Sequence, residues 1–229
     1  MSTTRFPSGV SNVAQESVLG NMGQPDPSKY QTVFDDFAAL DANRWTVVET
    51  QAGATQAVAP GGGGLIALVN SATIGDVNGF STNIAIFALT AGKRFFAKAR
   101  MSVADVANSN FFLGFGDTAA GLNPANGVYL QKTAAAGGTL SVVSELASVQ
   151  TLASVTGVNA EMTGGVATVI GLEYDGRGTI TGYLNDRKIV SLPVSSIPGT
   201  GMLGIWGYSN VNAFANTASL DYLLFAVER

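Results

Sequence analysis

The sequence contains no cysteine and no histidine, and only 12% of its 229 residues are charged. Each shortage closes off chemistry. Without cysteine there are no disulfides, thiolate nucleophiles, zinc fingers or iron–sulfur clusters. Without histidine there is no Ser-His-Asp triad, no imidazole acid–base catalyst and no histidine-bound metal. Soluble proteins average about 25% charged residues, so charge is scarce. The net charge of -4 opposes nucleic-acid binding, which needs a basic footprint. No run of about 18 apolar residues occurs, so no membrane-spanning helix is expected. The opening stretch lacks the apolar centre of a secretory signal, and the absence of cysteine fits cytosolic synthesis.

What is present points to β structure. The length suits one large β domain or at most two small ones. Residues 1–29 stand apart as Ser, Thr, Asn, Gln, Gly and Pro, with apolar side chains at intervals: Phe6-Pro7, Val10, Val13, Val18-Leu19 and Met22. The segment closes on Pro25-Asp26-Pro27, and two prolines so close suppress helix. Such a composition fits a solvated tail or an extended docking arm; the spaced apolar residues favour the arm. Residues 30–229 are expected to fold as one β domain.

Short strands are expected at Gln31–Phe37, Arg44–Glu49, Leu65–Val69, Thr82–Phe87, Arg94–Val103, Asn110–Gly116, Gly127–Lys132 and Thr139–Leu146. Arg94–Val103 alternates strictly: Phe96, Lys98, Arg100 and Ser102 share one face, and Phe95, Ala97, Ala99, Met101 and Val103 the other. That period of two marks a half-buried strand. Ala167–Tyr174, the turn Asp175-Gly176-Arg177-Gly178 and Thr179–Leu184 make the clearest hairpin, because glycine accepts the positive φ such turns need. Asn185-Asp186-Arg187 turns into Lys188–Leu192. Met202–Tyr208 and Ser219–Val227 finish the chain. Helical periodicity is absent, and the Ala-rich pieces at 119–120 and 134–136 read as loops. Many short strands between turn signals imply a sandwich or barrel.

Candidate chemistry is sparse. A retaining glycosidase needs two carboxyls about 5 Å apart, and β-sandwich glucanases carry them at alternating positions of one strand. Glu173-Tyr174-Asp175 is the nearest approach, but Arg177 and Gly178 stand where a third carboxylate would be, and Asp175 belongs to the turn. Asp35 and Asp36 are adjacent and point to opposite faces, flanking a strand end while Phe34 and Phe37 pack. Asp35, Asp36, Asp76, Asn78, Asp117 and Asn123 could meet in space around calcium, yet no loop has the spacing of a known calcium motif. The run Gly61–Gly64 is followed by a strand rather than Gly-Lys-Ser/Thr and a helix, so it reads as a connection and not a phosphate loop. Neither cofactor nor metal is expected. Trp45, Tyr129, Tyr174, Tyr183, Trp206, Tyr208 and Tyr222 are core candidates that could instead stack on sugar rings. Trp206 and Tyr208 share a strand face and lead to Asn210 and Asn212, which makes these four the candidate glycan-binding residues.

Phe34-Asp35-Asp36-Phe37 followed by Arg44-Trp45-Thr46-Val47 resembles the opening of concanavalin A-like (laminin-G/pentraxin-type) jelly rolls. Leu172–Gly176 with Gly182–Ile189, and the closing Leu220–Val227, resemble the central hairpin and last strand of that fold. The resemblance implies an all-β, two-sheet antiparallel jelly-roll sandwich behind an extended N-terminal arm. Arg5-Phe6-Pro7-Ser8-Gly9-Val10-Ser11-Asn12-Val13-Ala14, with Leu19-Gly20-Asn21 and Pro25-Asp26-Pro27, is similar to the N-terminus of tailed-bacteriophage head decoration (cement) proteins. That similarity implies a non-enzymatic virion protein on the outer capsid surface, made in the host bacterial cytoplasm. Its expected partners are the major capsid protein and its own copies, as a homotrimer or alternatively a dimer, with no nucleic acid or membrane. Arg5, Phe6, Pro7, Val10, Val13 and Leu19 are the implied capsid contacts. The alternative is a lectin-like module for host adhesion. The lectin-type metal loops of the fold have no match here.

Overall fold

The computed structural model describes residues 28–59 and 64–229. The expected arm up to residue 27, with Arg5, Phe6, Pro7, Val10, Val13 and Leu19, lies outside the described residues, as do positions 61–63 of the glycine run.

Among the described residues there are sixteen strands: β1 Tyr30–Asp35, β2 Trp45–Glu49, β3 Thr55–Val58, β4 Ile66–Val69, β5 Val77–Thr82, β6 Phe87–Ala88, β7 Phe95–Val103, β8 Ser109–Gly116, β9 Gly127–Thr133, β10 Thr139–Leu146, β11 Val149–Thr156, β12 Thr168–Tyr174, β13 Thr179–Leu184, β14 Arg187–Pro193, β15 Thr200–Asn210 and β16 Thr217–Glu228. They form two antiparallel sheets. Sheet A runs β14-β13-β12-β7-β16-β4-β3, with β1 also on β16; sheet B runs β11-β10-β9-β8-β15-β5-β2, with β6 on β15. The fold is therefore the two-sheet jelly-roll sandwich that the resemblance implied, and it decides between the sandwich and the barrel that the strand pattern left open.

The alternation in β7 places Phe95, Ala97, Ala99, Met101 and Val103 in the core, where they meet Phe111, Leu113 and Phe115 of β8. Aromatic rings join the sheets: Phe115 lies 5.5 Å from Phe95 and 5.6 Å from Phe225 between ring centroids. Burial of such side chains is worth about 1.5–3 kcal/mol each, so this layer holds the sandwich shut. The β12–β13 hairpin turns where Asp-Gly predicted it. Asp175 Oδ1 accepts from the Arg177 and Thr179 backbone N–H at 2.7 and 3.0 Å, and Gly176 and Gly178 take φ of 74° and 99°. Gly64 also has a reason: a Cβ there would sit 1.8 Å from the Asp36 carbonyl oxygen.

Some expectations fail locally. Residues 83–86 are not strand; the strand is β5, upstream at Val77–Thr82, and all six of its residues are buried. Burial on both faces removes the alternation that would have revealed it. β3 and β11 also escaped notice. Of the two aromatics expected to pack, Phe37 is fully buried, whereas Phe34 is 53% exposed on the opposite face.

Candidate functional site

The glycan candidates do not form a cleft. Trp206, Tyr208 and Asn210 are fully buried. β15 turns Trp206 and Tyr208 inward, into the layer between the sheets, while Ile205 and Gly207 face outward. The Trp206 indole N–H donates to Met101 Sδ at 3.3 Å, and the Tyr208 hydroxyl lies 3.0 Å from the carbonyls of Leu68 and Asn216. Burial pushes the Tyr208 hydroxyl's pKa well up. Asn210 Nδ2 holds the backbone carbonyls of Ser71, Asn212 and Phe214, so it pins two loops together. Asn212 is half-buried beside it. A sugar cannot stack on rings inside the core, so these residues are scaffold.

The carboxylates are likewise engaged. Asp35 Oδ2 accepts from the Trp45 indole at 2.7 Å and from Arg44 at 3.2 Å, and its Oδ1 from the Phe37 N–H at 2.8 Å. Asp76 accepts from Thr50 Oγ1 and from the Ser71 N–H. Asp117 ties down Ala125 and Asn126. Glu173 lies on the outer face of sheet A, held by Arg94 at 2.6 Å and by the Tyr183 hydroxyl at 3.0 Å. Glu145 lies on the outer face of sheet B, held by the Tyr129 hydroxyl at 2.5 Å and by Gln150 at 3.2 Å. Burial first, then the adjacent carboxylate, drives the pKa of both Tyr129 and Tyr183 upward, so both hydroxyls remain donors. Asp175, two residues after Glu173, is the hairpin cap described above and is engaged by its own turn. Among the described residues no three acidic side chains gather as a metal site would require.

One buried cation stands out. Lys132 has no exposed surface and donates to the backbone carbonyls of Ser109, at 2.7 Å, and Val106. Desolvation pushes its pKa down to about 8, against a smaller opposing pull from Asp105. Its job is to tie the β7–β8 connection and the start of β8 to β9.

Two surface regions stand as candidate sites. On the outer face of sheet A, Phe34 and the half-buried Tyr222 lie 6.2 Å apart. They neighbour the ion pairs Arg100–Asp221 and Lys98–Asp186, and desolvation, with Asp186, pushes Tyr222 up to about 12. On the flank, the β10–β11 hairpin exposes Leu146, Val149 and Leu152 at 48%, 70% and 51%. Beside it runs a groove of about 400 Å³ lined by Ser144, Leu146, Val149, Thr151, Pro193 and Val194. Sequence reading missed this flank because Val149–Thr156 has neither apolar alternation nor a glycine turn before it.

No family model matches the chain, and no curated protein sequence does. Solved structures do match. A protein of unknown function from Shewanella oneidensis, SO2946, is 14% identical, with 87% of each chain covered and a TM-score of 0.60. The carbohydrate recognition domain of Emp47p is 14% identical over 88% of this chain and 98% of that one, at 0.59. A glycoside hydrolase family 16 endo-glucanase from Bacteroides ovatus is 12% identical over 84% and 99%, at 0.61. These neighbours define the class: a concanavalin A-like jelly roll, the fold shared by carbohydrate-binding domains and glycoside hydrolases. At such identity the likeness extends to the fold and no further.

Proposed function

We propose that this chain is a non-enzymatic structural protein of a phage virion. In this reading it sits on the outer capsid surface and bridges neighbouring major capsid subunits, as a homotrimer at local threefolds or a dimer at twofolds. The observation that carries the reading is the layout: a phage-like N-terminal segment ahead of a jelly roll with a neutral, exposed flank. An extended segment can pair with exposed strand edges and insert side chains such as Phe6. Ordering some two dozen residues is costly, and repetition over a shell supplies avidity in return. The non-enzymatic part is supported by the carboxylates, since Glu145, Glu173 and Asp175 are each held by neighbours of their own.

The test mixes purified undecorated shells with the full chain or with a chain lacking residues 1–28. Binding by the full chain and at least a tenfold loss for the truncated one is expected. Equal binding by both would remove the arm from the account.

A second reading, a lectin-like module, is favoured by Phe34 and Tyr222. An exposed aromatic beside charged hydrogen-bonding groups suits a sugar ring, and these residues replace Trp206 and Tyr208 as its candidates. A glycan array read with the wild type and with Phe34→Ala checks it; no binding to any glycan would sink the idea.

A further inference from the structure

Sheet edges are dangerous, because unpaired N–H and C=O groups template pairing with other chains, and natural proteins guard them with charge, proline, bulges or shortness. Most edges here are guarded. β14 begins with Arg187-Lys188, ends at Pro193 and faces a register shift at Gly182/Tyr183. β3 has four residues. β2 has five, ends in Glu49 and follows Arg44. β1 has six and ends in Asp35, and Arg44 covers the Phe34 carbonyl.

β11 breaks the pattern. It is eight residues long, Val149-Gln150-Thr151-Leu152-Ala153-Ser154-Val155-Thr156, with no charge, no proline and no fully buried side chain. Among the described residues it pairs only with β10, in unbroken register from Leu146↔Val149 to Thr139↔Thr156. Among the described residues it is the longest edge strand and the one guarded by no charge, proline, bulge or shortness of its own.

We propose that β11 pairs antiparallel with β11 of a second copy, joining two sheets B into one continuous sheet across a twofold axis through Leu152. The strand is complementary to itself in this register. Leu152 faces its own copy, Val149 faces Val155, Gln150 faces Ser154 and Thr151 faces Ala153. Every pair keeps both members on one face, as the pleat requires, and apolar meets apolar at Leu152 and at Val149–Val155. No charge is brought against its like, because the strand carries none. Exposed Leu146 and Val149 and the groove beside them then extend the contact beyond the backbone ladder. An isologous contact of this kind closes at two copies, so it selects the dimer over the trimer in the proposed function. It rests on the self-association in that reading and does not depend on a phage head.

Light scattering of the purified full chain at micromolar concentration is expected to give a dimer. Leu152→Lys places like charges opposite each other and is expected to weaken the dimer at least tenfold; Leu152→Glu should do the same. Mixing the two variants is expected to restore it, a rescue that loss of folding would not produce. Should either charged variant fail to fold, Leu152→Cys provides the reading. The chain has no other cysteine, so mild oxidation should give a covalent dimer, whereas Ile84→Cys, exposed elsewhere, should give none. A monomeric or trimeric wild type, a dimer indifferent to charge at position 152, or no crosslink through Cys at 152 would each overturn the proposal. Shell binding is measured separately, so loss of the capsid reading would leave this result standing.

Discussion

Each outer face of the sandwich carries one buried glutamate held by a tyrosine hydroxyl, and the two pairs differ in what backs them. On sheet A, Tyr183 and Glu173 are joined by Arg94, a cation. On sheet B, Tyr129 and Glu145 are joined by Gln150, a neutral amide. The surroundings follow suit. Sheet A's outer face also carries Lys98 and Arg100 with acidic partners. Among the described residues sheet B's outer face is neutral apart from Glu145: Tyr129 stacks on Phe112 at 4.4 Å, and Val143, Ile205 and Leu122 pack around them. The contrast teaches where this chain can be covered cheaply. Burying charge costs several kcal/mol per ion unless it is well paired, so a neutral surface is the easier one to dock. Sheet B supplies both a neutral face and the unguarded edge.

The comparison can be broken or sharpened by substitution. Trp206 belongs to the layer that both sheets share, and Trp206→Ala should cost about 3–5 kcal/mol in denaturant unfolding, whichever face is considered. Tyr129→Phe strips Glu145 of its hydroxyl donor and leaves only the Gln150 amide; a loss of about 1–3 kcal/mol is expected. Tyr183→Phe should cost less than Tyr129→Phe, because Arg94 still holds Glu173. Equal losses in the same unfolding experiment would erase the distinction between the faces.

Between the sheets, Lys132 adds a pH signature. Its proton is held less tightly in the folded protein, with a pKa of about 8 against 10.5 for a free lysine. Between those values the unfolded chain binds more protons, so stability attributable to this residue rises with pH. Thermal melts of wild type and Lys132→Met should therefore show the wild type gaining on the variant from pH 8 upward.

A smaller effect concerns the two tightest hairpins. Asn185-Asp186 and Ala147-Ser148 both take positive φ at their two central positions, 50° and 63° in each case. Asparagine tolerates that conformation; alanine and serine pay for it. Ala147→Asn with Ser148→Gly should raise stability by about 1 kcal/mol. Smallest of all, Arg100→Ala removes an ion pair whose arginine is 47% exposed, and a change within about 0.5 kcal/mol is expected.

Hairpin turns also explain what could be read in advance. The β12–β13 turn carries Asp-Gly and was legible; the β10–β11 turn is Ala-Ser, which announces nothing, so β11 stayed hidden. Its left-handed turn is held from outside, by Asn126 Oδ1 on the Ala147 N–H and the Ala125 carbonyl on the Ser148 N–H. β7 was legible because one face is core and the other is wet. β5 was not, because both its faces are covered and Gly79 lies where a Cβ would strike the Trp206 carbonyl at 2.3 Å. Trp206 and Tyr208 were rightly placed on one face. Which face was core was not legible, because β15 carries a glycine on each: Gly204 meets Phe225 of the core and Gly207 meets Leu122 outside it.

The first described strand is completed by the last: β1 lies against β16, with Tyr30 opposite Glu228, and the Arg229 N–H donates to the Lys29 carbonyl. Contacts this distant in sequence are slow to form, since the intervening chain must be gathered first. During synthesis, β1 and β7 both wait for β16, because residues 217–228 lie between them in sheet A. The sandwich therefore cannot close around its core while residue 228 is still inside the ribosome. Until then the inward rings of β7 and β8 are without their cover, and the nascent sandwich stays open to aggregation.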